Sequence, residues 1–174
     1  MKGVELRLVS ELMKNSRRSD RELARAIGTS QPTVSRTIKK LQKQGIIKEY
    51  TMIPDFTKLG YKILAITFVK LNKALSQEQI EEARRIVKES MDTEALEAVM
   101  IERGLDFGSD LVFITYHEDY SSHVKFVVRL KQSGFLTIEE ARSFLVSLED
   151  KVRYRLLTLS ALATSVQRMK GNRN

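Results

Sequence analysis

Apolar residues recur every three to four positions along the first third of the chain, and this spacing predicts helices. Val4, Leu8 and Leu12 lie at i, i+4 and i+8, which predicts an amphipathic helix over residues 4–14. Two further apolar stripes predict a second and a third helix, one formed by Leu23, Ala24 and Ile27 and the other by Val34, Ile38 and Leu41. The chain is therefore predicted to begin with three successive helices.

Capping signals mark where the second and third helices begin and end. Ser19 and Glu22 have the spacing of a capping box, in which each side chain bonds to the backbone of the other residue. Gly28 takes a positive φ at little steric cost and is expected to end the second helix. Thr29 or Ser30 is expected to cap the third helix. These signals predict two helices separated by a short turn.

This pair of helices has the packing requirements of a helix-turn-helix. Ala24 allows a close approach of the second and third helices, and Gly28 makes the turn between them. Val34 packs the third helix against the second. Polar and basic side chains remain on the outside of the third helix, where they suit base edges and phosphates. The candidate DNA-binding residues are Ser30, Gln31, Thr33, Ser35, Arg36, Lys39, Lys40 and Lys48. The alternative is a helical hairpin whose outer face is merely polar.

Residues 46–53 are β-prone, and Pro54 follows them. They are predicted to form either the strand pair of a wing or a connector to a second module. Lys48 within this stretch is a candidate phosphate contact or a solvated charge.

The remainder of the chain alternates between strand and helix patterns. The expected order is β-α-β-β-α-β, which is the ferredoxin-like arrangement. The helix predicted over residues 120–132 is expected to bury Val124, Val127 and Val128. The predicted strands are residues 63–71, 95–101, 110–116 and 143–148, and the predicted helices are residues 76–90 and 120–132. Residues 151–174 are interpreted as a helical extension, and a strand over LLTLSALATSV is the alternative.

Charge separates the two parts of the chain. The protein has 30 basic and 22 acidic residues and a net charge of +8. Residues 1–61 hold 13 of the basic and 6 of the acidic residues, so nearly all of the excess lies in the predicted helix-turn-helix part. This asymmetry indicates one basic module that faces a polyanion and one module that is almost neutral.

The sequence gives no support for a membrane span, a signal peptide, a disulfide or a catalytic or metal site. The chain has no cysteine, no apolar run long enough for a membrane span and no signal-peptide pattern, so the cytoplasm is the expected location. His117 and His123 are the two histidines, and with Glu118 and Asp119 between them they are interpreted as solvated turn residues. No catalytic residue, metal ligand or cofactor is therefore predicted.

Residues 21–61, RELARAIGTSQPTVSRTIKKLQKQGIIKEYTMIPDFTKLGY, resemble the winged helix-turn-helix and hinge of the Lrp/AsnC family. Gly108-Ser109-Asp110-Leu111 is similar to a turn of that family before the third strand of the second domain. The resemblance covers roughly residues 3–150. It implies an α+β protein with a DNA-binding domain over 1–55, a hinge over 56–61, a βαββαβ domain over 62–150 and a C-terminal extension over 151–174.

The resemblance also implies partners. It suggests a sequence-specific transcription regulator that binds double-stranded DNA as a homodimer or a higher homo-oligomer. A small-molecule effector such as an amino acid is expected near Phe107, Gly108, Ser109 and Asp110. Two alternatives remain at this point. One is an enzyme similar to siroheme decarboxylases, served by His117, His123, Arg103 and Arg129; the other is a helix-turn-helix used only for protein–protein contact.

Overall fold

The structure is a computed structural model that describes residues 3–73, 75–93, 98–104, 108–132, 137–152 and 157–169, with side chains of the fourth helix described up to residue 85. The described chain forms two compact units, and the chain passes from the first to the second between Ile53 and Pro54. The C-terminal helix belongs to the first unit together with the N-terminal residues. Phe107 of the expected effector region lies outside the described residues.

The first unit is helical. Its helices are α1 (Gly3–Lys14), α2 (Asp20–Ile27), α3 (Gln31–Lys43) and α6 (Ser160–Arg168). The apolar stripes form one core, which consists of Leu8, Leu23, Ala24, Ile27, Val34 and Leu41. The α6 helix packs against α1, where Ser10 and Ala163 are both completely buried.

The helix boundaries follow from the capping chemistry. The Ser19 hydroxyl accepts the Glu22 amide at 3.3 Å, and the Glu22 carboxylate accepts the Ser19 amide at 2.8 Å, so the capping box is formed. Gly28 ends α2 with φ +69°, the left-handed region that favours glycine. Ser30, one of the two expected residues, caps α3.

The second unit is a four-stranded antiparallel sheet with helices in the crossovers. Its elements are β1 (Ile63–Leu71), α4 (Gln77–Thr93), β2 (Ala98–Arg103), β3 (Leu111–His117), α5 (Tyr120–Gln132) and β4 (Ile138–Ser147). The strand order is β2-β3-β1-β4. This is the predicted β-α-β-β-α-β arrangement, and β4 begins five residues earlier than expected.

The inward face of α5 differs in part from the prediction, since of the three predicted valines Val127 packs against the core. His123 and Phe126 are buried, whereas Val124 and Val128 are 41% and 44% exposed. The helix carries apolar residues on two sides, so periodicity alone could not select the inner one. Phe126 packs edge-on against Phe113 of β3, with ring centroids 6.0 Å apart, and this contact sets the rotation of the helix.

Two other stretches of the chain also had predictions. No strand is formed by residues 46–53, because in the described single chain they have no neighbouring strand with which to form a ladder. The expected hinge, residues 56–61, lies in the second unit. There the Phe56 ring stacks on Tyr116 at 3.9 Å, and burial raises the pKa of the Tyr116 phenol.

Candidate nucleic-acid interface

The start of α3 is organised by the hydroxyls of its first turn. Ser30 accepts the Thr33 amide at 3.4 Å, and the Ser30 and Thr33 hydroxyls are hydrogen-bonded across 2.8 Å. Pro32 lies in this first turn, where a missing N–H costs no helical hydrogen bond. Ser30 and Thr33 therefore stabilise the helix start and present their hydroxyls at its outer end.

The outer surface of α3 is held in place by a narrow buried stripe. Val34 and Leu41 are completely buried in the core of the first unit, which fixes the rotation of the helix. Thr33 and Ser35 are half-buried. The exposed residues on the helix are Gln31, Pro32, Arg36, Lys39, Lys40, Gln42 and Lys43. Hydrogen-bonding groups thus precede the cations along the helix.

The Arg36 guanidinium is partly anchored by its own helix. Its Nε donates to the Pro32 carbonyl at 3.3 Å. The two terminal nitrogens make no hydrogen bond to the described residues and remain able to donate together to one base edge. The anchor reduces the rotamer freedom that such a contact would otherwise remove.

Lys40 of α3 forms an ion pair. Its Nζ lies 2.6 Å from the Oε1 of Glu5, a residue of α1 that is 6% exposed. About half of the Lys40 side chain is exposed. Sequence periodicity could not reveal this contact, since the two residues are 35 positions apart.

Exposed arginines around α2 extend the basic surface beyond the residues that the sequence pattern singled out. Arg17, Arg21 and Arg25 are all exposed. Arg21 and Arg25 are four positions apart and therefore share one face of α2. The capping box of Ser19 and Glu22, within which Arg21 lies, was the signal in the sequence that could have placed this side chain at the helix start.

A second buried carboxylate of α1 pairs with one cation at the end of α1 and another just before α2. Glu11 is 8% exposed and is bonded to both Lys14 and Arg18. The Lys14 hydrogen bond is the largest influence on Glu11, and with Arg18 it holds the pKa of this carboxyl below its ordinary value against the effect of burial.

Lys48 is exposed in the segment that follows α3. The same segment exposes Ile46, Tyr50, Met52 and Ile53, of which Met52 is the most exposed at 71%. Four apolar side chains in an unpaired β-prone segment form an apolar surface on the first unit.

The turn before β3 is fixed by Asp110. Its Oδ2 accepts the Leu71 amide at 2.7 Å, while its own amide donates to the Val69 carbonyl at 2.8 Å. Gly108 has φ +61°, and Ser109 is half-buried. Asp110 thereby connects the turn to the end of β1, and sequence spacing had indicated only its membership of the turn.

The interpretation of His117 and His123 as solvated residues is wrong. Both are buried, and their ring centroids are 5.2 Å apart. The Nε2 of His117 is hydrogen-bonded to the Thr115 hydroxyl at 2.7 Å, and that of His123 to the Ser143 hydroxyl at 3.0 Å. Burial lowers the pKa of His117 to about 4, with smaller effects of His123 and Arg129. Burial also lowers the pKa of His123.

These contacts bear on the enzyme alternative. The two histidines belong to the core beneath α5, and among the described residues no group of three His, Cys, Asp or Glu side chains could hold a metal ion. A tetrapyrrole would need access to His117 and His123, which the fold buries, whereas Arg103 and Arg129 are exposed.

One face of the sheet in the second unit carries apolar side chains on three adjacent strands. Residues of β1 alternate between fully buried and half-buried, so one face packs beneath α5 and the other is more open. On that open face Ile66 lies between Ile114 of β3 and Phe144 of β4. Phe144 is 65% exposed. Leu64, Phe68, Val112 and Val146 occupy the same face by register.

Comparisons with known proteins agree with this geometry. Residues 1–48 match a family of winged helix-turn-helix DNA-binding domains. The HTH-type transcriptional regulator PH0061 of Pyrococcus horikoshii, itself uncharacterized, is 33% identical over 148 residues, which cover 81% of this chain and 94% of that protein. The HTH-type transcriptional regulator LrpC of Bacillus subtilis is 39% identical over 71 residues, 41% of this chain and 49% of LrpC.

Solved structures show the same fold over most of the chain. The crystal structure of PH0061 superposes with a TM-score of 0.68 at 25% identity, covering 90% of this chain and 98% of that one. An AsnC family transcriptional regulator from Agrobacterium tumefaciens has a TM-score of 0.70 at 19% identity, with 93% and 99% coverage. The L-Met complex of the regulator NMB0573 from Neisseria meningitidis has a TM-score of 0.72 at 19% identity, with 92% and 95% coverage.

Proposed function

Because this chain belongs to the Lrp/AsnC family of winged helix-turn-helix DNA-binding transcriptional regulators, we propose that it recognises specific DNA sequences by inserting α3 into the major groove. The observation that carries this proposal is the arrangement of α3. Its buried stripe leaves a continuous row of polar and basic side chains exposed at the helix surface.

The side chains of α3 divide by chemistry into two roles. Gln31, Ser35 and Arg36 suit base edges. Amide and guanidinium groups can form two hydrogen bonds with one base, and a hydroxyl can form one. Ser30 and Thr33 contribute hydroxyls at the outer end of the helix. The proposed phosphate contacts are Lys39, Lys48, Arg21 and Arg25, all exposed.

The proposed binding unit is a homodimer or a larger homo-oligomer. The open face of the sheet supports this, because Phe144 and the neighbouring apolar side chains would be removed from water by a second copy. The apolar segment 46–53 offers a further surface, with a backbone that pairs with no strand of the described chain. Two copies would place two α3 helices in successive major grooves and read a pseudo-palindromic site.

A small-molecule effector is proposed at the turn around Gly108, Ser109 and Asp110, with Phe107 adjacent in sequence. Support comes from the likeness of the turn to that of the family and from NMB0573, whose structure contains L-Met. The Asp110 carboxylate already accepts the Leu71 amide, so Asp110 would shape the turn rather than bind the effector's amino group. Thermal-shift screening against the amino acids tests this proposal, and a flat screen would contradict it.

No described helix has the length and apolar character required to cross a bilayer. We propose that the protein acts in the cytoplasm, because a regulator must reach the DNA that it binds.

Selection from a random duplex library tests the proposed function. The purified protein should enrich a pseudo-palindromic sequence whose half-sites are about one helical turn apart. Retention of the library without enrichment of any sequence would contradict sequence-specific recognition, and it would leave the non-specific phosphate contacts as the only DNA-binding activity.

A further inference from the structure

We propose that α6 pairs with α6 of a second copy of this chain, and that this contact fixes the distance between the two α3 helices of a dimer. The inference rests on the proposed homo-oligomer, and it adds a surface other than the open face of the sheet. The observation behind it is a row of exposed apolar side chains on a helix whose inner side already packs against α1.

The contact between α6 and α1 uses only one side of α6. Ala163 is completely buried, as is Ser10 of α1, and small side chains let two packed helices approach closely. No other residue of α6 is buried. The larger apolar side chains of α6 therefore contribute little to the core of their own unit.

The apolar seam of α6 consists of Leu159, which lies just before the first turn, and Leu162, Val166 and Met169. Their spacing of three, four and three positions is the a/d spacing of a two-helix coiled coil. Leu159, Leu162 and Met169 are 51%, 55% and 64% exposed, and Val166 is half-buried. A seam with this spacing fits a second helix that carries the same seam, which is what a two-fold axis supplies.

Charge favours a second copy at this surface. Residues 1–61 hold 13 basic and 6 acidic residues, so two copies of the helical unit repel each other wherever their cations meet. Residues 159–167, by contrast, contain no charged residue. Two copies can approach through this part of α6 without opposing cations, and a DNA backbone would find no cation there to bind.

The size of the seam indicates that α6 pairing supplements a larger interface. Its exposed side chains would bury a few hundred Å² per copy, against the ~800 Å² per partner of a standard interface. Such short helices are expected to pair only where another contact already holds the two copies at a high effective concentration. In the proposed dimer the open face of the sheet supplies that contact.

Pairing of α6 would act on DNA recognition through α1. Both α6 and α3 belong to the helical unit, and both contact α1. Fixing one α6 against the other therefore fixes the distance between the two α3 helices. The dimer would then bind half-sites at one preferred separation.

Crosslinking of single cysteines tests the pairing. The chain has no cysteine, so each variant carries one thiol. Leu162→Cys and Val166→Cys place it on the seam, and Thr164→Cys, about 200° from either position around the helix, is the matched control. A short bis-maleimide links two copies only where both thiols lie close together. At least one seam variant should be linked roughly tenfold faster than Thr164→Cys, because a two-fold axis brings equivalent seam positions together.

Binding to DNA tests the fixed distance. Leu162→Glu places two like charges across the seam, and Thr164→Glu adds the same charge away from it. Affinities are compared for a duplex enriched from the random library and for one whose half-sites are moved apart by a few base pairs. The ratio of these affinities should fall severalfold in Leu162→Glu and stay unchanged in Thr164→Glu. Sedimentation should show the oligomeric state of the parent for both variants, since the open face of the sheet is unaltered.

Two results would overturn the inference. Seam cysteines that are linked no faster than Thr164→Cys, in a protein that sediments as a dimer or larger, would mean that α6 does not face a second copy. An affinity ratio that Leu162→Glu leaves unchanged would mean that α6 does not set the distance between the α3 helices. A monomeric parent would instead contradict the proposed homo-oligomer, and this inference with it.

Discussion

The two units of this protein bury polar groups in different ways. In the helical unit the buried polar groups include carboxylates, and Glu5 and Glu11 are both paired with cations. Among the described residues of the sheet unit they are neutral, and His117 and His123 are bonded to the hydroxyls of Thr115 and Ser143. The helical unit therefore depends on charge to arrange its helices, whereas the sheet unit depends on the absence of charge in its core.

The largest expected effect is a loss of stability when the core of the helical unit is altered. Leu41→Ala should cost about 2–5 kcal/mol of unfolding free energy, because Leu41 is completely buried between the helices. DNA affinity should fall with it, since Leu41 fixes α3. Denaturant unfolding and fluorescence anisotropy measure the two quantities. Leu59→Ala, on an exposed leucine of the sheet unit, is the control and should change stability by less than about 0.5 kcal/mol.

The second prediction uses pH to distinguish the units. Below pH 6.5 the unfolded chain protonates His117, while the folded chain resists protonation until about pH 4. The unfolded state then binds more protons, so stability should fall by about 3 kcal/mol as the pH decreases across this window. In the helical unit the lowered pKa of Glu11 stabilises the folded state. This contribution to stability is lost only as the pH falls below 4.5, the ordinary pKa of a glutamate carboxyl.

Denaturant unfolding from pH 7 to pH 4.5, followed by circular dichroism, measures this loss. His117→Gln should reduce the pH dependence above pH 4.5. A variant with the full pH dependence of the parent would show that His117 is not its source.

The third prediction concerns Lys39 and the DNA backbone. Lys39→Ala should weaken binding about equally on all sequences and lower the salt slope by about 0.9 per subunit. Lys125→Ala on the exposed side of α5 is the matched control in the sheet unit. Salt titrations of both variants provide the comparison, and equal slopes would remove Lys39 from the phosphate contacts.

The smallest expected effect tests the local design of α2. Ser19→Ala removes one half of the capping box and should cost about 1 kcal/mol of stability. Thermal denaturation measures this change. Ser147→Ala, on an exposed serine of β4, should leave the melting temperature almost unchanged. Equal shifts for the two variants would show that the Ser19 cap does not stabilise α2.

The sequence was most informative where structure depends on neighbours along the chain. The helices of the first unit follow from apolar spacing, and the capping box of Ser19 and Glu22 follows from a local pattern. The order of strands and helices in the second unit also follows from local periodicity, together with short connections. These features require no knowledge of distant residues.

Long-range contacts explain what the sequence could not predict. The Glu5–Lys40 pair joins residues 35 positions apart, and α6 reaches α1 from the other end of the chain. His117 and His123 are flanked by Glu118 and Asp119, which favoured a solvated turn, yet the partner hydroxyl of His123 comes from Ser143 on β4. The rotation of α5 depended on Phe113 of another strand.

The central claim is that α3 reads the bases, and random-library selection with Arg36→Ala tests it most directly. Arg84→Ala, which alters an exposed arginine of α4 in the sheet unit, is the control. Our account predicts that Arg36→Ala loses base preference at one position in each half-site, at a cost of about 1–3 kcal/mol, while Arg84→Ala enriches the same sequence as the parent. An Arg36→Ala variant that enriches the parent's sequence with undiminished preference at every position would contradict the claim.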